Sequence, residues 1–410
     1  AGRFLTKVVD HETFSQQVMK LLDAVDDAAA RRIRYKATPE FVTNLQEWIT
    51  AESVEQFTPA SIEHRGEELT TGWVAERFAG LAEVPVFTRL ERVADFAVHQ
   101  LKTAISRRAK WTAKDATAVR KQVRSMFPYK DAFEMYQAFY RTPERQDYFV
   151  PLGRKKIEYA DVFPLIYTML TTTRQESPYA GIRHLLVDEM QDYTPVQYAV
   201  LRHLFACRMT ILGDANQSVN PFSSSTLETI HTIFPEADCL ELTKSYRSTA
   251  EITEFAQNIS RTDRLTPIAR HGAPPAIIAC TDPDEELTRI LERIEDYHRS
   301  EHRSMGIICK TVTQAEALAE ALRGAGADLT FLDYDSTAFS NGVIITSAHI
   351  AKGLEFDAVI APQADSSNYT NGMDKSMLYI ACTRAMHELT LTHSGARSPL
   401  LAFAETPAYA

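Results

Sequence analysis

The chain of 410 residues is 45% hydrophobic and carries a formal net charge of −10. That length and apolar fraction suit two or three globular domains with real cores, and the acidic balance gives no global reason for nucleic-acid binding. No apolar run approaches the roughly 18 residues that a membrane span needs, and five cysteines without C-x-x-C spacing argue against a zinc site or disulfide framework and for a reducing cytoplasm.

The start, Ala-Gly-Arg-Phe-Leu-Thr-Lys, has neither a signal-peptide core nor an initiator Met, as expected of a fragment or a processed chain. Residues 1–155 read as a mainly helical segment. Phe14, Val18, Leu21 and Leu22 recur at helical spacing, as do Phe41, Leu45, Trp48 and Ile49, the second run opening on Thr38 as N-cap and Pro39 in the first turn. Val84-Pro85-Val86 reads as a connector or short extended piece, followed by an amphipathic helix from Arg89 to about Arg108. Between Leu101 and Lys130 stand nine Lys/Arg against one acid, Asp115, a local balance of +8 that leaves the remainder at −18. Arg107, Arg108, Lys110, Lys114, Arg120, Lys121 and Arg124 are too many like charges to bury together. With Trp111, Phe127 and Tyr129 interleaved, the stretch suits stacking on bases, an acidic protein partner or a plainly solvated face.

A helix is predicted over 161–170. From there strand and helix alternate, with strands at 184–188, 209–213, 238–242, 276–280, 305–309, 328–332, 342–346, 357–361 and near 388–392. Helices fall between several of them, at 195–206, 249–259, 284–299, 313–323 and 375–386. That alternation indicates parallel α/β sheets, and the Pro- and Gly-bearing break at Arg261–Pro275 marks a junction between two lobes.

Five boxes carry chemistry. In His184-Leu-Leu-Val-Asp-Glu-Met-Gln-Asp192, Leu185 to Val187 are the apolar run of a strand buried on both faces, ending in Asp188 and Glu189. At the carboxyl end of such a strand, one carboxylate can hold Mg²⁺ on a nucleotide while the other orients or deprotonates water; alone, the pair is as well read as a polar turn. Ile211-Leu-Gly-Asp-Ala-Asn-Gln-Ser218 repeats the pattern one strand-helix unit later, with Asp214 at the strand end and Gln217 able to hydrogen-bond a γ-phosphate or the attacking water. In Leu242-Thr-Lys-Ser-Tyr-Arg-Ser-Thr249, Tyr246 can stack on a purine and Arg247 offers a planar fork for phosphate. Thr346-Ser-Ala-His-Ile-Ala-Lys-Gly-Leu-Glu-Phe-Asp357 and Met377-Leu-Tyr-Ile-Ala-Cys-Thr-Arg-Ala385 complete the set. His349 is as consistent with a structural histidine as with a nucleic-acid backbone contact.

In this order and spacing the boxes resemble motifs II to VI of UvrD/Rep-like superfamily 1 helicases, over roughly residues 158–395. Within that superfamily the chain is most similar to the HelD-type, helicase-IV-like ATPases of bacterial RNA polymerase. The strand Met305–Thr311 opens a compact second lobe, the segment Ile350–Ile360 runs to Arg384 with only a short loop between and no large insertion, and the helical 1–155 region resembles that family's arm. The resemblance implies two RecA-like P-loop NTPase lobes, the first incomplete: 1–155 an arm inserted in lobe 1, 156–270 the rest of lobe 1, and 271–410 lobe 2. It implies ATP and Mg²⁺ as cofactors. Asp188 would hold the metal, Glu189 would act as base, and Gln217, Arg247 and Arg384 would contact the γ-phosphate, Arg384 as an arginine finger. Tyr246 would stack on adenine and Glu355 reach the ribose, with Asp214 and Gly353 also at the nucleotide. RNA polymerase is the implied partner; a DNA-unwinding helicase and a non-catalytic binding module are the alternatives. One departure stands out: no G-x-x-x-x-G-K-[ST] loop occurs in the 410 residues, so the chain by itself is expected not to hydrolyse ATP at a useful rate.

Overall fold

The computed structural model describes residues 10–14, 16–17, 26–153, 156–174, 177–214, 227–260, 265–334, 336 and 341–405. They divide into two units, the first within 10–17, 26–212 and 227–235 and the second comprising 213–214 and 236–405. The boundary expected near residue 270 therefore falls at Pro235/Glu236.

The first unit is mainly helical. Its elements in chain order are β1 (Asp10–His11), α1 (Asp27–Lys36), α2 (Pro39–Glu55), β2 (Ile62–His64), β3 (Glu67–Leu69), α3 (Thr71–Ala79), α4 (Val86–Ile105), α5 (Ala113–Ser125), α6 (Ala132–Phe139), β4 (Lys156–Ile157), α7 (Tyr159–Thr172), β5 (His184–Val187), α8 (Pro195–Leu204), β6 (Arg208–Ile211) and α9 (Leu227–Ile233). Local chemistry sets the helix starts. Thr38 accepts from Phe41 N, with Pro39 at the first position, Thr70 accepts from Trp73 N and Asp131 from Glu134 N. Val86, expected in an extended piece, opens α4, because Pro85 supplies a preset φ just ahead of it.

At α5, Thr112 and Asp115 form a capping box. Asp115 also meets His64 Nε2 at 2.9 Å and Arg65 Nη2 at 2.8 Å, tying the β2–β3 hairpin to the helix. The Thr112 hydroxyl, His64 and Arg65 hold the Asp115 carboxyl down to about 2.

One apolar core joins these helices, from Phe41 and Leu45 of α2 through Val93 and Ala97 of α4 to Val162 and Leu165 of α7. Set into the unit is a buried polar node. Lys36 Nζ lies 2.6 Å from Asp161 Oδ1, which also accepts from Tyr136 Oη at 2.6 Å, and the Tyr136 and Tyr140 hydroxyls are 2.8 Å apart. Beside it Arg32 binds Glu158 through two hydrogen bonds of 2.6 and 2.8 Å. This node ties α1, α6 and α7 together by charge as well as by packing.

The two carboxylate boxes are joined by β5–β6, a parallel two-stranded sheet with Val187 opposite Ile211. This corrects the expectation of a strand buried on both faces. Val187 is buried, but Leu186 is 69% exposed, because among the described residues no third strand or covering helix lies on that face.

The second unit is built on a six-stranded, wholly parallel sheet. Its elements are β7 (Lys244–Ser245), α10 (Ala250–Ile259), β8 (Thr266–Pro267), β9 (Ala276–Ala279), α11 (Pro283–Arg299), β10 (Ser304–Cys309), α12 (Val312–Gly324), β11 (Thr330–Phe331), β12 (Gly342–Ser347), α13 (Ala348–Ala351), β13 (Phe356–Ala361), α14 (Gly372–Thr383) and β14 (Ala385–His393). The strand order is β11-β12-β10-β13-β14-β9. Helices α10 and α14 pack on one face and α11 and α12 on the other, so β10, β12 and β13 read as continuous apolar runs. Gly306 makes room in β10, where a Cβ would lie 2.6 Å from the Phe356 ring. This is the α/β architecture the alternation indicated. The strand expected at 238–242 is absent. Leu240 and Leu242 stand 88% and 91% exposed, and the pairing starts later, at Lys244–Ser245 with Thr266–Pro267.

Replacing Lys36 with Met should leave Asp161 as an uncompensated buried charge and destabilise the helical unit by about 3–5 kcal/mol. Replacing Arg31, exposed and 4.0 Å from Asp147, should change stability by less than about 0.5 kcal/mol. Urea unfolding of the two variants checks the contrast.

Candidate nucleotide site

The first, second and fourth boxes follow strand ends, at β5, β6 and β12, while the fifth lies on α14 and runs into the start of β14. After β5 the chain turns sharply. Glu189 adopts φ 54°, ψ 51°, the left-handed region that a non-glycine residue enters at a cost, and such strain concentrates at functional sites. The turn is held by Glu189 N donating to Asp188 Oδ1 at 2.8 Å and by the buried Gln191, whose Nε2 donates to Glu189 Oε2 at 2.6 Å. Met190 N donates to Leu212 O, and Leu212 N to Val187 O, both at 2.8 Å. The ladder thus carries on past both strands and brings the acid turn level with the end of β6. Asp188 is exposed and Glu189 half-buried, so one carboxylate reaches solvent while the other is oriented by an amide. Asp214 is half-buried and follows in the second unit; Gln217 lies outside the described residues.

In the second unit the third, fourth and fifth boxes converge. Ser347 caps α13 at the end of β12, and Gly353 then takes φ +84°, which turns the chain through Leu354 and Glu355 into β13. Glu355 Oε1 lies 2.6 Å from Arg247 Nη2, and both side chains are part-exposed. Tyr246 beside it is 67% exposed, leaving its ring open to stacking. The Arg247 segment is stitched to the start of β14. Ser248 Oγ donates to Ala385 O at 2.6 Å and Thr249 N to Met386 O at 3.3 Å. Arg270 Nη2 donates both to Arg247 O at 2.5 Å and to Met386 O at 2.7 Å. Ser248 and Arg270 were missed in the sequence, although Arg270 lies in the stretch read only as a junction.

Arg384 departs from expectation. The helix ends at Thr383, and Arg384 is its C-cap, because Ala385 already begins β14. Its side chain is 1% exposed. Nε donates to Ile380 O, Nη1 to Leu354 O and Nη2 to Thr383 Oγ1, each at 3.3 Å. Asp374 and Glu388 are engaged elsewhere, with Lys310 at 2.6 Å and His302 at 3.2 Å. His349 is half-buried, its ring 5.8 Å from that of Tyr334. Burial, and then Lys352, push its imidazole down to about 4, so it is neutral at pH 7 and carries no charge for a phosphate backbone.

Residues 5–237 match the UvrD/REP helicase N-terminal domain and residues 342–392 the UvrD-like helicase C-terminal domain. The chain belongs to the UvrD/REP helicase family. Curated relatives include the ATP-dependent DNA helicase srs2 of Schizosaccharomyces pombe, 31% identical over 25% of this chain and 12% of the relative. DNA helicase II of Haemophilus influenzae is 26% identical over 34% and 21% respectively, and ATP-dependent DNA helicase UvrD2 of Mycobacterium bovis 28% over 35% and 23%. The matched part of the chain thus covers a quarter or less of each of these relatives. Among solved structures, the C-terminal domain of a possible DNA helicase from Lactobacillus plantarum shares 34% identity over 40% of this chain and 97% of that one, with a TM-score of 0.36.

The basic stretch of this UvrD/REP chain is less free than its composition implied. Arg108 pairs with Glu67, Arg120 with Asp95 at 2.8 Å, and Arg124 lies 4.7 Å from the Phe87 ring centroid. Arg107, Lys110, Lys114 and Lys121 are exposed and have no ion-pair partner among the described residues. Phe127 and Tyr129 are buried in the core, so neither is available to stack on a base, and the half-buried Trp111 packs edge-on to His64.

Arg384→Ala should cost on the order of 2–4 kcal/mol, since it empties a packed site and strips donors from carbonyls. Arg247→Ala removes only a part-exposed pair and should cost about 0–1 kcal/mol. Denaturant titration distinguishes them. By NMR, the His349 imidazole should titrate near pH 4. Because its folded value lies below the ordinary 6.5, its contribution to stability is complete above that pH and is lost as pH falls from 6.5 through 4. A midpoint at 6 or above would put the ring in water.

Proposed function

We propose that this chain supplies the hydrolytic carboxylates and the second lobe of an ATP-driven DNA motor. The observation that carries the reading is the turn at Asp188–Glu189. A strained residue, oriented by a buried amide and anchored to the neighbouring strand end, places two carboxylates at a parallel-sheet edge, where nucleotides bind in α/β folds. Asp188, exposed and free of cationic partners among the described residues, suits a Mg²⁺ ligand, the ion that shields phosphate charge. Glu189, held by Gln191, is oriented to take a proton from water. Arg247, with Glu355 as its resting partner, offers a guanidinium that an arriving phosphate can claim, while the exposed Tyr246 ring fits a purine face. Arg384 is proposed as the second arginine at the γ-phosphate, its burial favouring a fixed donor over a mobile finger. The relatives' names favour DNA as the track.

A narrower reading, a HelD-type factor acting on bacterial RNA polymerase, is supported by the connection between β13 and α14. It spans only residues 362–371 and holds no inserted domain. Co-purification with RNA polymerase in place of DNA would favour it.

The reading is tested by Glu189→Gln in a protein that joins this sequence to a G-x-x-x-x-G-K-[ST] loop. ATP affinity should stay within a few-fold while turnover falls by roughly 10²–10⁴-fold. The 410-residue chain alone should show no turnover above background. Hydrolysis by that chain, abolished by the same substitution, would overturn the need for the loop; unchanged turnover in the joined protein would overturn the role of Glu189.

A further inference from the structure

The helical unit has a cleft that the boxes do not account for. It lies where α4, α5, the start of α6 and the end of α7 meet, and it measures about 920 Å³, a size at which small molecules are held between helices. Its apolar lining is the outer skin of the core. Phe87, Leu90 and Ala94 of α4 are buried, and Phe133 and Met169 pack, partly buried, against the same core. From Phe87 to Asp95 the α4 wall is about 12 Å long at 1.5 Å per residue. Most of the charge around the rim is engaged. Arg120 meets Asp95 at 2.8 Å, Lys130 meets Glu134 at 3.0 Å, and Asp131 accepts from Glu134 N at 2.9 Å. Arg124 stands apart. Its side chain is half-buried over the Phe87 ring, 4.7 Å from the centroid, and has no hydrogen-bond or ion-pair partner among the described residues. Burial holds the guanidinium below its ordinary pKa, against the pull of Glu91, Asp131 and Glu134.

We propose that this cleft binds a small amphiphilic carboxylate, with its acyl chain along Phe87, Leu90 and Phe133 and its head forked by Arg124. Two features select that ligand. A guanidinium drawn partly out of water without a partner costs free energy that a bidentate carboxylate offsets, and the elongated apolar wall gains by covering with hydrocarbon. Four cations and three carboxylates line the cleft, a net charge of +1. Glu91 and Asp131 therefore tolerate one negative head but repel a polyanion. The site stands whether or not the chain takes part in ATP turnover, because none of its residues belongs to the acid turn.

The test uses the full chain and a dansyl-labelled undecanoate, whose emission rises when the dye leaves water. The dye is displaced with dodecanoate and with dodecanol, each below its micelle-forming concentration. The dye should saturate at one site per chain. Dodecanol, the same chain without the charge, should displace it at least about tenfold less well than dodecanoate, the worth of one charge-assisted hydrogen bond. Arg124→Gln should weaken dodecanoate at least about tenfold and leave dodecanol within about twofold. Thr117→Trp fills the cleft from an exposed position and should weaken both ligands; it decides where circular dichroism shows that Arg124→Gln has lost its helices. Equal displacement by dodecanoate and dodecanol, or an Arg124→Gln chain that binds dodecanoate within about twofold of the parent, would overturn the proposal. So would uptake of the dye only from phosphatidylglycerol vesicles, which would mark a membrane-facing surface in place of a site for the free acid.

Discussion

Two parallel strands cannot be closed by a tight turn; the chain must leave the sheet, cross over and re-enter. In this molecule that constraint decides where chemistry can sit. The crossover from β13 through α14 to β14 returns the chain to its starting level. There Phe356 N donates to Arg384 O at 3.0 Å, and the Arg384 guanidinium reaches back to Leu354 O. The Gly353 turn and Arg384, separated by some thirty residues of sequence, are thereby neighbours through backbone pairing. The same rule in the first unit brings the acid turn after β5 level with the end of β6. Each feature is positioned by a ladder, so its geometry is as stiff as a sheet.

Polar side chains then secure what the ladders bring together. Arg270 and Ser248 bind carbonyls, and carbonyls do not titrate, so the link between the Arg247 segment and β14 is independent of pH over any working range. The Arg247 side chain pairs, among the described residues, with Glu355, part-exposed and screened by water. The scaffold around it is permanent while its own partner is exchangeable. The helical unit follows a comparable division. Its inner charges are paired, Lys36 with Asp161 and Arg32 with Glu158, and cations such as Arg107 and Lys110 stand at the surface.

Much of this was legible in the sequence. The runs at 304–309, 342–347 and 356–361 announce themselves because strands covered on both faces need unbroken apolar residues, and the cap at Thr38 follows from local hydrogen bonding. What was not legible depends on distant partners. Residues 238–242 have a strand's composition, but a strand also needs a neighbour, and none pairs with them among the described residues. Leu186 looked buried for the same reason. The end of α14 was misplaced because Arg384 and Ala385 are good helix formers, and only pairing with Phe356 turns Ala385 into strand. The cations at 108 and 120 looked free because their acids, Glu67 and Asp95, lie 41 and 25 residues earlier in the chain. Local pattern foretold elements; it could not foretell which elements meet.

The left-handed turn at Glu189 has a consequence for how this protein could change over time. That backbone conformation is more comfortable for glycine or asparagine than for glutamate, by something like 1 kcal/mol. Selection for heat resistance alone would therefore drift toward losing the very carboxylate the turn presents, and a hardier descendant would be a quieter one. Stability alone does not favour a glutamate at such a place, so residue 189 is a position where backbone comfort and side-chain chemistry pull in opposite directions.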